Sequence, residues 1–352
     1  MTKQFQIGIV GGGMIAQAHM KNFAGDSRTK LTWIAEINPD ARAASAKTFD
    51  IANTTADYRE MLKDPALDAV VVCTPPISHR EIGIAVLQAG KHLLMEKPLT
   101  LTMEDAHALQ AEAKKHPELK VSGCSARHAR LQPKFAFIKK IIDSGKLGKI
   151  YLVHHRSLSR QGRGGIEYHP AAKWFLDRSK SGGGPLYDWG VYDMSFHLGL
   201  LGEPELLKLD AFCVNGLDKV AHGAPTFTVE EHGGAFMTFA GGIKYWWERA
   251  SNVHTEEPNK TTILGTTGGL RFGYCSWDPA TVEYFDVADA GTGKARVEKL
   301  EVDMSAHKDG DMPPLGKAFI DFLAGVGPAP MTFELEIKNL DILHKVYQAA
   351  NW

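Results

Sequence analysis

Gly11, Gly13 and Ala16 stand in the spacing G-x-G-x-x-A, directly after the apolar run Phe5–Val10 and at the head of the helical pattern Met14–Ala24. The first glycine permits a tight turn, and the second lets backbone approach a pyrophosphate. The small third residue lets helix and strand pack closely. N–H groups at the helix start, around Met14 and Ile15, are then free to bind phosphate. Glu36 ends the next apolar run. A carboxylate there accepts hydrogen bonds from both ribose hydroxyls and repels a 2′-phosphate. No Arg or Lys follows before Arg42, so NAD is expected rather than NADP. A second group of residues suits proton and hydroxyl chemistry. Lys97 follows the run His92–Met95, at the carboxyl edge where open α/β sheets place ligands, and Pro98 restrains the chain after it. Asp188 and Tyr192 are four apart in the helical stretch Pro185–Leu201, so they share a face.

These residues need a scaffold, and the apolar periodicity supplies one. Short runs at Phe5–Val10, Leu31–Ala35, Ala69–Cys73, His92–Met95 and Lys120–Gly123 alternate with helical patterns at Met14–Ala24, Asp40–Thr48, Ser78–Gln88 and Met103–Lys115. That rhythm reads as βαβ units in a doubly wound parallel sheet, a Rossmann domain over residues 1–125. Beyond residue 125 the rhythm changes. Helical stretches Pro133–Ser144 and Pro185–Leu201 flank the strand Ile150–Ser157. Closely spaced strands follow through Leu300, among them Thr226–Glu231, Ala235–Phe239, Ile243–Arg249 and Thr261–Leu264. Glycine pairs separate several of them, so residues 126–352 are expected to form an α+β substrate-binding and oligomerisation domain on a mostly antiparallel sheet. Helical patterns Leu315–Leu323 and Phe333–Ala350 close the chain.

Further segments resemble the Gfo/Idh/MocA family, named for glucose–fructose oxidoreductase, inositol dehydrogenase and rhizopine catabolism. Val72-Cys73-Thr74-Pro75-Pro76-Ile77-Ser78-His79 is similar to its strand, Thr-Pro turn and following His. Gly90 through Pro98 contains its Glu96-Lys97-Pro98 signature. Ser181 through Tyr192 is similar to its glycine triplet followed by Asp-x-Gly-x-Tyr, and Asp143 through Ile150 to its entry into the second domain. The likeness runs in order along essentially the whole chain. It implies that Thr74, Pro75, His79, Glu96, Lys97 and Arg127 join the glycine loop around the cofactor, and that Lys97 hydrogen-bonds the reacting hydroxyl. Oxidising a secondary alcohol sends a hydride to the nicotinamide while a base takes the hydroxyl proton. Many members carry His at the position of Tyr192. A phenol, with a pKa near ~10, needs a neighbouring cation to act as that base. Tyr192 is accordingly assigned as proton acceptor, Lys97 as its electrostatic partner and Asp188 as substrate anchor. Ser195 departs from the Asp of many relatives.

The segment Arg156–Lys180 is rich in cations and rings. Arg156, Arg163, Tyr168, His169 and Trp174 are candidates for a carbohydrate pocket, which would also suit an anionic sugar. Trp246 and Trp247 are adjacent on a strand and so point to opposite faces. No histidine cluster has metal spacing, and no metal is expected. With 40 basic and 41 acidic residues the net charge is −1, which excludes a nucleic-acid footprint. No apolar run reaches membrane length, and the first residues carry no signal-peptide pattern, so a cytoplasmic enzyme is expected. Its four scattered cysteines fit that compartment. An antiparallel sheet with one bare face calls for a partner, so a homodimer or homotetramer is expected. Three functions follow in order: NAD-dependent oxidation of a ring hydroxyl on a sugar, polyol or glycoside; redox-assisted cleavage of a glycoside with the hydride returned; and non-catalytic NAD sensing.

Overall fold

Parallel pairing of short, fully buried strands builds the first part of the chain. The computed structural model describes residues 4–160, 170–217, 226–289 and 292–352. One unit comprises Met1–Arg127 and Asp311–Leu340, the other His128–Gly310 and Asp341–Trp352. In the first unit, strands β1 (Phe5–Val10), β2 (Thr29–Ala35), β3 (Asn53–Thr55), β4 (Ala69–Val72), β5 (His92–Met95) and β6 (Val121–Gly123) form one sheet. Their order is β3-β2-β1-β4-β5-β6, with every pairing parallel. All four residues of β4 are buried, which is why that strand reads as a continuous apolar run without alternation. The order reverses between β1 and β4, the crevice where doubly wound sheets bind ligands. Helix Met14–Ala24 starts there and buries Ala16, His19, Met20 and Phe23.

The first unit runs to Arg127 and takes up the chain again at Asp311. Helix Met312–Leu323 packs in the first unit, not with the residues that precede it. Its buried stripe Leu315, Gly316, Phe319, Ile320 and Leu323 recurs at helical spacing, and Phe319 meets Phe23 edge-on at 6.4 Å. Arg28 and Asp321 tie the same contact at 2.7 Å. Gly316 is where the helices press closest, since a Cβ there would lie 1.5 Å from Asn22 Nδ2.

The second unit holds β7 (Ile150–Leu158), β8 (Leu206–Val214), β9 (His232–Phe239), β10 (Lys244–Ala250), β11 (Glu257–Gly265), β12 (Gly269–Phe272), β13 (Thr281–Asp289) and β14 (Lys294–Glu301). They form one sheet, β14-β13-β12-β11-β7-β10-β9-β8. Every pairing is antiparallel except β7 with β10. Thr226–Glu231 is not a strand; β9 begins at His232. That segment instead sends the Glu230 carboxylate to the start of helix Pro185–Leu201. Among the described residues, no helix is long and apolar enough to cross a membrane.

Helix Pro185–Leu201 lies on one face of this sheet, and a buried carboxylate fastens it. Asp193 accepts from Trp247 Nε1 at 2.8 Å, from Tyr274 Oη at 2.6 Å, and from both Nη2 and Nε of Arg249. His155 Nε2 lies 3.1 Å from the same carboxylate. His155 Nδ1 lies 2.9 Å from Thr261 Oγ1, His197 Nε2 lies 2.8 Å from the same hydroxyl, and Tyr245 Oη lies 2.7 Å from His197 Nδ1, so the two imidazoles are linked through one threonine. Burial keeps both imidazoles neutral by pushing their pKa values down. Burial also opposes the Asp193 charge, but Arg249 and His155 overrule it and hold that pKa well below the carboxylate range. Trp247 faces the helix, and Trp246 lies on the opposite side with 47% of its surface exposed, as adjacent strand residues must. Arg249→Leu should lower unfolding free energy by about 3–5 kcal/mol in urea titration, because Asp193 is left charged and buried. A loss below about 1 kcal/mol would remove the pair from this role.

Candidate active site

The glycine loop and the acid that follows it meet in the first unit. Gly11 has φ +99°, and a Cβ there would lie 2.9 Å from the Cys73 carbonyl oxygen, so only glycine fits. Gly13 caps helix Met14–Ala24 with no side-chain cap, and a Cβ on it would meet nothing within 4 Å. The first-turn N–H groups around Met14 and Ile15 are thus left for a ligand's phosphates, and Ala16 is buried beneath them. Glu36 lies beside the loop. Its Oε2 accepts from Gly12 N at 2.5 Å and its Oε1 from Asn38 N at 2.7 Å, so the carboxylate is held against the glycine loop. Arg42 Nη1 donates to the Glu36 carbonyl at 2.5 Å, which places a cation next to that acid. The donor set and the open helix end fit a dinucleotide.

Two turns at the carboxyl ends of β4 and β5 are joined by His79. Its ring is fully buried, with Nε2 2.8 Å from the Thr74 carbonyl and Nδ1 3.1 Å from the carbonyls of Pro98 and Leu99. Burial pushes its pKa down. The imidazole therefore braces the Thr74-Pro75 turn against the Lys97-Pro98 turn, whose peptide bond is cis. Glu96 braces Lys97 from the other side. Its carboxylate accepts from His19 Nε2 at 2.8 Å, Arg127 Nη1 at 3.2 Å and the Lys97 N–H at 3.0 Å. Burial disfavours this charge, yet Arg127, His19 and Lys97 hold its pKa well below the carboxylate range. Glu96 and Arg127 thus form a buried pair supporting Lys97. His19, Glu96 and Cys124 offer ligand atoms within 4.8 Å of one another. The Arg127 guanidinium already supplies the positive charge that Glu96 balances, so this donor set suits an ion pair better than a metal. His19 was not legible as a partner, since only folding brings it across 77 residues to Glu96.

Asp188 and Tyr192 belong to the second unit. Gly182 has φ +86°, and a Cβ on Gly184 would lie 2.1 Å from the Glu230 carbonyl, which explains the glycine triplet before the helix. Glu230 then caps that helix through Gly184 N at 2.8 Å and Leu186 N at 2.9 Å. Burial raises its pKa against those hydrogen bonds. Asp188 is half-buried and Tyr192 buried. The Tyr192 ring meets His128 edge-on at 4.8 Å and Trp189 at 5.4 Å. Ser195 accepts from Arg130 Nε at 3.3 Å.

The cationic segment fares differently. Arg156 Nε donates to Glu248 Oε2 at 2.8 Å from the neighbouring strand, in register. Tyr245, Trp247 and Arg249 face helix Pro185–Leu201, so Glu248 and Arg156 face away, and Arg156 is not brought to the side of Asp188 and Tyr192. Trp174 stacks on Phe175 at 4.0 Å. Arg163, Tyr168 and His169 lie outside the described residues.

Residues 5–122 match the family model described as an oxidoreductase family with an NAD-binding Rossmann fold, and residues 135–271 match the GFO/IDH/MocA C-terminal domain. The chain belongs to this family. Its cofactor is NAD. Levoglucosan dehydrogenase of Pseudarthrobacter phenanthrenivorans is 30% identical, over 80% of this chain and 77% of that one. D-glucoside 3-dehydrogenase of Escherichia coli is 25% identical, over 76% of this chain and 77% of its own. A levoglucosan dehydrogenase structure, in complex with NADH and levoglucosan, superposes with TM-score 0.83 at 23% identity, covering 99% of this chain and 98% of that one. Within this family member, Glu36→Ala should raise the KM for NAD about tenfold, the worth of a lost pair of ribose hydrogen bonds. With Arg42 left beside the site, NADP should be used better than by wild type; steady-state kinetics with both cofactors reads the change.

Proposed function

We propose that the protein oxidises a ring hydroxyl of a sugar, polyol or glycoside, with Tyr192 and Lys97 as the acid/base pair. The observation that supports this most is the family assignment, together with relatives named for levoglucosan and D-glucoside oxidation. NAD, when bound, accepts the hydride from the carbinol carbon. Tyr192 takes the proton of the same hydroxyl, and the Lys97 ammonium stabilises the phenolate that makes this possible. Asp188 accepts a hydrogen bond from a neighbouring hydroxyl and orients the ring. Glu96, Arg127 and His79 position Lys97 and the Thr74 turn. A sensor of NAD alone would need neither Lys97 nor the Asp188/Tyr192 pair.

The D-glucoside oxidised by one relative favours a second reading for one class of substrate. A ketone placed next to a C–H bond acidifies it, so oxidation of a glycoside ring could be followed by loss of that proton and of the anomeric substituent, addition of water to the resulting enone, and return of the hydride. Net hydrolysis would result, without accumulation of NADH. Purified protein incubated with NAD and a panel of sugars, inositols and glycosides should form NADH. Release of the aglycone without NADH would support cleavage instead, and silence with NAD still bound would leave the sensor. Tyr192→Phe should lower turnover by a factor on the order of 10²–10⁴ while NAD affinity holds; full activity would end the acid/base assignment.

We infer a homodimer or homotetramer built on the face of the second sheet opposite helix Pro185–Leu201. Phe236 and Trp246 pair across β9 and β10 on that face, each with 47% of its surface exposed, and His154 stacks on Trp246 at 4.8 Å. Light scattering should return a dimer or tetramer mass, and Trp246→Glu should lower it; a monomer in the wild type contradicts the inference.

A further inference from the structure

An exposed indole stands beside Tyr192. Trp277 is 61% exposed, lies 5.3 Å from His128 and meets Trp189 edge-to-face at 5.8 Å, both contacts between ring centroids. His128 in turn stacks on Trp189 at 5.7 Å and touches Tyr192 edge-on. Leaving so large an apolar surface in water forgoes the gain of burying it, which the fold alone does not require.

The loop that carries Trp277 has been given a fixed shape. Lys134, in the first turn of helix Pro133–Asp143, is fully buried. Its Nζ donates to the carbonyls of Gly273 at 3.1 Å, Cys275 at 2.8 Å and Asp278 at 2.9 Å. The three N–H bonds of one ammonium thus span the residues on both sides of Trp277. Asp278 closes the loop by accepting from Cys275 N and Asn259 Nδ2, each at 2.8 Å. A buried ammonium costs desolvation even when satisfied, so an apolar side chain would serve packing better. Trp189 is held as well. The Arg249 guanidinium, fixed by Asp193, lies 4.9 Å from its ring centre.

We propose that Trp277, held edge-to-face against Trp189, is a preorganised stacking surface for the apolar face of a pyranose ring. This inference rests on the carbohydrate reading above and narrows its substrate class to cyclic pyranosides. A pyranose ring presents C–H groups on its faces and hydroxyls around its rim. A rigid aromatic surface buries the C–H face and leaves the hydroxyls to polar partners such as Asp188. Because Lys134 fixes the loop beforehand, little ordering cost remains at binding. An open-chain polyol has the same hydroxyls and no such face.

Wild type, Trp277→Ala, Trp277→Phe and Lys134→Met are titrated, with NAD present, against a panel of methyl pyranosides and against sorbitol. Tryptophan emission reads binding and NADH absorbance reads turnover. Pyranosides should bind the wild type and sorbitol much more weakly. Trp277→Ala should weaken pyranoside binding about tenfold, Trp277→Phe should recover most of it, and Lys134→Met should shift it in the same direction as Trp277→Ala. Unchanged pyranoside binding in Trp277→Ala, equal binding of sorbitol, or no pyranoside binding by wild type each overturns the platform. Trp277-dependent binding without NADH retains the platform and removes the dehydrogenase reading. NADH formation that ignores Trp277→Ala does the reverse.

Discussion

One ionised carboxylate organises the second unit. Asp193 sits fully buried at the centre of helix Pro185–Leu201, so its partners come from the sheet beneath. Trp247 and Arg249 on β10 and His155 on β7 supply them, and Tyr274 adds a hydroxyl from the chain after β12. Moving β10 by one residue would turn Trp247 and Arg249 to the opposite face and strand the charge. Register and helix position therefore depend on the same ion pair. Tyr192 precedes Asp193 in the chain, and its setting among His128 and Trp189 follows from that anchoring.

Buried charge recurs wherever the protein has to hold a short segment still. In the first unit, Glu96 gathers Arg127, His19 and the Lys97 backbone N–H, which fixes the turn after β5. In the second, Lys134 gathers three carbonyls of the Trp277 loop. Apolar packing alone is non-directional and would leave such turns several shapes. Hydrogen bonds to a charge have direction, and an unsatisfied one is costly, so each charge selects a single arrangement of its loop. The sacrifice in stability is local, and the rigidity gained is at the residues proposed to meet substrate.

Local pattern made much of this legible. The run Phe5–Val10, the helix Met14–Ala24 and the helix Pro185–Leu201 have the bounds expected of them, because periodicity, glycine and proline act within a few residues. The short elements Asn53–Thr55 and Tyr58–Leu62 carry too few residues to show a period and were not foreseen. Thr226–Glu231 has the composition of a strand but was claimed by a longer-range need, the capping of another helix by Glu230. Arg156 has the character of an anion ligand, and its pairing with Glu248 comes from a neighbour that only sheet register supplies.

By itself, the sequence determined the element types, the glycine loop with its acid, and the family motifs holding Lys97, Asp188 and Tyr192. Each of these is written in residues close together along the chain. Tertiary structure decided the return of helix Met312–Leu323 to the first unit, the commitment of Arg127 to Glu96, and the bracing of Trp277 by Lys134. A buried charge takes its partners from whatever elements the packing brings beside it, and those lie 31 residues apart for Arg127 and 144 for Lys134. No local pattern encodes such a separation, because desolvation acts on the folded neighbourhood and not on the order of residues.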